Sequence, residues 1–193
     1  MSLHAVDRRG DPRTDLPGIV RQKSLIVGKR MTLASGRVSP FYFDMKPTLF
    51  DPEGANLIAE SILALLAEEE VDFVGGLEMG AVPIVACVAQ KSFPHRPIPG
   101  FFVRKEVKDH GTRRRIEGLP REAELVGKHV VMVDDVTTTG GSVLDAVEVV
   151  REAGGLVSRV VTVVDRLEGA TENLAGHGIA LTALLTADDF AIA

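Results

Sequence analysis

Cysteine is nearly absent: the only one in 193 residues is Cys87, so no disulfide within the chain can hold it together. Cys87 lies among Ile84, Val85, Ala86, Val88 and Ala89, where a lone thiol reads as core packing rather than a nucleophile and fits a reducing compartment. No apolar run approaches the roughly 20 residues of a membrane span, and the N-terminus lacks a signal-peptide apolar region. These absences predict a cytoplasmic protein that binds no membrane. Excess positive charge is missing too. With 22 Lys and Arg against 27 Asp and Glu, the net charge is −5, which argues against a nucleic-acid binder and makes any basic patch local. There is no Gly-Lys-Ser/Thr sequence, hence no P-loop of a nucleoside triphosphatase. Internal repeats and low-complexity tracts are also absent. What is present, 45% hydrophobic and 25% charged residues, suffices for one well-packed domain and is short for two.

Residues 1–14 are polar, charged and Pro/Gly-bearing, and are expected to be disordered or a cloning remnant. A strand-then-helix rhythm follows. A helix is predicted over residues 16–29, with extended pieces at 31–33 and 41–44. Asp51-Pro52-Glu53 supplies an N-cap, a first-turn proline and an acid matched to the helix dipole. Ala55, Ile58, Ile62, Leu65 and Leu66 then place an apolar stripe on that helix. A strand at 72–75 leads into the glycine-rich turn Gly75-Gly76-Leu77-Glu78-Met79-Gly80-Ala81, with Pro83 opening the next helix. Apolar strands are expected at 98–103, 130–133 and 159–164. The alternation implies an α/β fold: a doubly wound, mostly parallel sheet with flanking helices, its ligands at strand carboxyl ends near a topological switch point.

The richest stretch runs over residues 130–142: four apolar residues, then Asp134, Asp135, Val136, Thr137, Thr138, Thr139, Gly140, Gly141 and Ser142. Val143, Ala146, Val147 and Val150 follow at helical spacing. The turn therefore joins a strand end to a helix start, where unpaired N–H groups and the helix dipole favour a phosphate and glycine permits close approach. Asp134 and Asp135 would repel a bare anion, so they call for sugar hydroxyls or a divalent cation at the same place. A phosphorylated sugar satisfies both demands. The plainer alternative is a pair of solvated acids in a polar turn. Residues 104–118 form a second constellation, with six Lys/Arg and His110 in fifteen residues of an acidic chain. Gly111 and Gly118 can act as hinges, and such a loop suits a polyanion.

Residues 134–142 resemble the phosphoribosyl-pyrophosphate (PRPP) signature of the type I phosphoribosyltransferases. Arg104-Lys105-x-x-Lys108-x-His110-Gly111 is similar to the catalytic loop of the orotate phosphoribosyltransferase family, Ser35-Gly36-Arg37 through Phe41-Tyr42-Phe43-Asp44 to its N-terminal segment, and Asp165-Arg166 to its base-contacting arginine. The resemblance implies a hood at about 15–50 on a core at about 51–193. It implies transfer of 5-phosphoribosyl from PRPP to orotate, giving orotidine 5′-monophosphate and pyrophosphate. Lys105, Lys108 and His110 would then serve the departing pyrophosphate together with Arg104, while Asp134 and Asp135 take the ribose hydroxyls. The turn from Val136 through Ser142 would hold the 5′-phosphate, and Arg166, with Tyr42 and Phe43, the orotate. Mg²⁺ would bridge substrate oxygens and water near the two acids, with no residue a certain ligand. A homodimer is implied, the loop around Lys105 completing the neighbour's site. Two departures stand out. Many members have a lysine where this chain has Ala34, and Tyr-Lys where it has Met79-Gly80, so the latter turn must act through its backbone. A transferase for another base, or a non-catalytic nucleotide-sensing regulator on the same fold, are the alternatives.

Overall fold

The computed structural model describes residues 15–32, 38–106, 115–119 and 123–192. The expectations for residues 1–14 and for Ala34, Lys108 and His110 lie outside them. The first described element is α1 (Leu16–Lys23), followed by the antiparallel pair β1 (Leu25–Thr32) and β2 (Val38–Phe43) and the short α2 (Lys46–Leu49). The predicted helix over 16–29 thus ends six residues early. From Leu25 onward the backbone pairs with β2, Leu25 opposite Phe43 and Val27 opposite Phe41. Ile26 and Val27 are β-branched and suit that ladder, and Gly28 at φ +84° is not helical.

Beyond this ribbon come α3 (Pro52–Leu65), β3 (Phe73–Leu77), α4 (Ala81–Ser92), β4 (Gly100–Val103), β5 (Ile116–Glu117), β6 (His129–Thr137), α5 (Gly141–Glu152), β7 (Leu156–Asp165), α6 (Ala170–Ala175), β8 (Ala180–Thr186) and a 3₁₀ turn (Ala187–Phe190). The Asp51 carboxylate caps α3 as expected, accepting from the N–H groups of Glu53 at 3.1 Å and Gly54 at 2.9 Å. Its buried face is rotated slightly from the predicted stripe. Leu57 and Ser61 join Ile58, Ile62 and Leu66 in the core, while Ala55 and Leu65 are only half-buried.

The six strands lie in the order β5-β4-β3-β6-β7-β8, all neighbours parallel except β4 and β5. After β3 the chain runs to one side for β4 and returns to the other side for β6. The carboxyl ends of β3 and β6 therefore flank the switch point, where an open α/β sheet leaves a crevice. Along β6 the side chains alternate between two apolar layers. Val131 and Val133 join the layer of α1, α3 and α4, whereas Val130 and Met132 join that of α5 and α6. This is why the strand reads as an unbroken apolar run.

Candidate active site

β6 continues past Val133, where the apolar run stops, and stays paired with β7 as far as Thr137 opposite Asp165. Asp134 and Asp135 are thereby presented by a rigid strand end rather than a loose turn. Thr137, itself buried, donates its hydroxyl to Asp134 Oδ2 at 3.0 Å, and the Val136 N–H donates to Asp135 Oδ1 at 2.9 Å. Burial, reinforced by the neighbouring Asp135 charge, pushes the Asp134 carboxyl up to about 7 against the pull of the Thr137 hydroxyl and Lys105. Asp135 is also raised, chiefly by burial. Two crowded acids held this way favour a cation or hydroxyl donors in front of them.

The turn after β6 enters α5 through Gly140, whose φ of +78° suits glycine. Leu174 of α6 stands 3.2 Å from where a Cβ would be, and Asn173 Nδ2 donates to the Thr139 carbonyl at 2.8 Å, so α6 pins the turn from behind. Among the described residues no side chain caps α5, and its first residues, Gly141 to Val143, line the cavity, where open N–H groups of a helix start favour an anion.

A cavity of about 670 Å³ opens at these strand ends. It brings together the predicted Tyr42 and Phe43, Met79 and Gly80, Lys105, all nine residues of 134–142, and Arg166. Arg104 does not line it; its Nη1 lies 3.9 Å from Glu117 Oε1 on β5. Lys105 lines the cavity of its own chain, because Glu78 Oε1 accepts from its backbone N–H at 2.9 Å and ties the loop to the β3–α4 turn. Gly80 is required by close approach: a Cβ there would overlap the Asp135 carboxyl. Phe43, 3% exposed, is mainly a core residue, and Tyr42 is half-buried.

Arg166 is deeply set. Its Nε donates to Glu168 Oε1 at 2.8 Å and its guanidinium lies 4.3 Å from the centre of the Phe41 ring. Sequence reasoning did not assign Phe41 to the site, nor Lys46, whose Nζ donates to Asp44 Oδ1 at 2.6 Å and whose charge also faces Asp135. The Asp-x-Lys spacing directly after an aromatic strand was the available signal for Lys46. Nothing local marks Phe41, which meets Arg166 across 125 positions of sequence.

An acid pair beside a hydroxyl- and N–H-rich cradle, at the switch point of a parallel sheet, defines a protein that grips a phosphorylated sugar. The family model of the phosphoribosyl transferase domain matches residues 49–177, which contain both glycine-rich turns and the acid pair. Orotate phosphoribosyltransferase of Rhodopseudomonas palustris (strain BisB18) is 52% identical over 179 residues, covering 92% of this chain and 95% of that one. The Methanocaldococcus jannaschii orotate phosphoribosyltransferase is 43% identical, covering 91% and 95%. A crystal structure of the Mycobacterium tuberculosis H37Rv orotate phosphoribosyltransferase in complex with PRPP superposes with a TM-score of 0.75 at 34% identity, covering 94% and 99%. The chain belongs to the orotate phosphoribosyltransferase family.

Proposed function

We infer how this chain divides the labour of its reaction from the family it belongs to and from the cavity at its switch point. The chain is an orotate phosphoribosyltransferase: it uses PRPP and orotate to make orotidine 5′-monophosphate, in pyrimidine synthesis. The observation that carries this is relationship across nearly the whole chain, acid pair and cradle included. Release of pyrophosphate that depends on orotate, with hypoxanthine, adenine and uracil as comparison acceptors, is the direct test. Turnover with another base in preference to orotate would overturn it.

In our reading the α5 N-terminus and the hydroxyls of residues 137–142 hold the 5′-phosphate, and Asp134 and Asp135 accept from the ribose hydroxyls. The bond from C1 to pyrophosphate loosens as the ribose gains oxocarbenium character, and N1 of orotate then bonds to C1. Charge builds on the departing pyrophosphate, where each well-placed donor contributes about 3 kcal/mol. Lys105 is the donor that its own chain supplies. Arg104, Lys108 and His110 would reach the cavity of a second copy, so the working unit is a homodimer; Arg104's position outside its own cavity supports this. Arg166 and the backbone beside Phe43 receive orotate, whose carboxylate suits a guanidinium fork.

The family generally uses PRPP with Mg²⁺. The residues fit such an ion: two crowded, half-buried acids face the cavity, and among the described residues no group of three or more His, Cys, Asp or Glu could hold a metal alone. Asp134 and Asp135 would sit beside an ion held mostly by substrate oxygens and water, and it would neutralise phosphate charge. We read the chain as one domain, a hood at about 15–50 on a core at about 51–193, because Leu16, Val20, Phe43 and Leu49 share one apolar cluster with α3, α4 and the sheet. Among the described residues no helix is long and apolar enough to cross a membrane. A cytoplasmic location accords with the lone thiol of Cys87, which burial pushes up, away from reactivity.

A further inference from the structure

Three phenylalanines connect the C-terminal turn to the cavity wall. Phe41 and Phe43 share one face of β2, and their rings meet edge-on with centroids 5.8 Å apart. Phe43 meets Phe190 in the same manner at 5.0 Å, and Phe190 is sealed at 1% exposure. Arg21 of α1 holds the far end, its Nη2 donating to the Phe190 carbonyl at 2.8 Å with the guanidinium 5.5 Å from the ring centre. At the near end Phe41 lies against the Arg166 guanidinium. The contacts are continuous from Arg21 to Arg166.

Arg166 recognises a planar carboxylate only if its own plane is correctly turned, because a fork that tilts keeps its charge but loses paired hydrogen bonds. Glu168 fixes the Nε edge, and the Phe41 ring fixes the face. That ring packs edge-on against Phe43, and Phe43 against Phe190. We propose that Phe190, acting through Phe43 and Phe41, is a positioning residue for Arg166, so that the C-terminal turn sets how tightly and selectively the site takes the acceptor's carboxylate. This rests on the reading of Arg166 as the orotate contact.

Steady-state kinetics on Phe190→Leu, Phe41→Leu, Phe41→Tyr and Arg166→Lys test it, with KM measured for both substrates and with orotate compared against uracil. Phe190→Leu and Phe41→Leu should raise KM for orotate several-fold and narrow the preference over uracil, leaving kcat and KM for PRPP unchanged. Phe41→Tyr keeps the ring and should restore wild-type values. An unchanged orotate KM in Phe190→Leu, or an equal rise for PRPP, overturns the proposal. Should a thermal melt show Phe190→Leu to be misfolded, Arg21→Gln loosens the turn from outside. It should then give a smaller rise for orotate alone, and no rise overturns the proposal. Arg166→Lys separates the two levels. If it leaves orotate KM unchanged, the reading of Arg166 fails and takes the proposal with it. If it raises KM while Phe190→Leu does not, only the proposal falls.

Discussion

Asp134 is held protonated by its surroundings to about 7, whereas the same carboxyl in an unfolded chain titrates near 3.8. Between those values the folded chain keeps a proton that the unfolded chain has lost, so this group's contribution to stability is full below about 3.8 and disappears as pH rises through about 7. Asp134→Asn, neutral throughout, should therefore gain thermal stability relative to wild type as pH is raised from acid to mildly alkaline without substrate. A constant difference in melting temperature would show that Asp134 is not so constrained. Gly80 makes a complementary case. Alanine there is compatible with the backbone, at φ −60°, but its Cβ would displace the Asp135 carboxyl. Gly80→Ala should barely move the melting temperature and should raise KM for PRPP several-fold; wild-type kinetics would remove Asp135 from the ribose site. At this scale the acids and the cradle were legible in the sequence because strand, turn and helix lie consecutively. Phe41 was not, because its partner Arg166 lies 125 positions away; Lys46 had only the Asp44-x-Lys46 spacing to mark it, its approach to Asp135 being long-range.

Elements are set mainly by apolar spacing, and the elements that escaped it are instructive. α5 buries Val143, Ala146, Val147 and Val150, as its period requires. The first five residues of β1 read as the tail of α1, and only its end falls in the extended piece expected at 31–33, because with little alternation the strand is not delimited until β2 pairs with it. β8 was not anticipated, since only Leu184 and Leu185 of its seven residues are buried. The tightest joint between elements is at Gly76 of β3, where a Cβ would overlap that of Ala81 on α4 and stand 2.8 Å from the Val133 carbonyl of β6. Neither neighbour can yield without moving backbone. Gly76→Ala should therefore cost about 1–3 kcal/mol, measurable by chemical denaturation; an unchanged midpoint would mean the three elements are more loosely joined than this.

For the whole molecule, the proposed division of the basic loop between two copies makes a prediction of opposite sign for two lysines. Lys105 lines its own chain's cavity, while in our proposal Lys108 serves the neighbour's. Subunits of Lys105→Ala exchanged with Asp134→Asn/Asp135→Asn should stay inactive, because neither kind of site is then complete. The same exchange with Lys108→Ala should restore part of the activity, since the acid-bearing chain receives an intact Lys108 from its partner. Demonstrated exchange with no recovery for Lys108→Ala would confine the loop to its own chain.

The sequence by itself determined the alternation of strands and helices, the α3 cap at Asp51, and the acid pair followed by a glycine- and hydroxyl-rich turn into a helix, since each depends on residues adjacent in the chain or one helical turn apart. Only the tertiary structure decided which sheet edges became neighbours, that β6 runs on to carry both acids, that Glu78 draws Lys105 inward, and that the C-terminal turn is joined through Phe43 and Phe41 to Arg166. These contacts close over tens to more than a hundred residues. No local periodicity encodes such pairings; they arise when apolar faces are buried together and the polar groups at their margins must find partners.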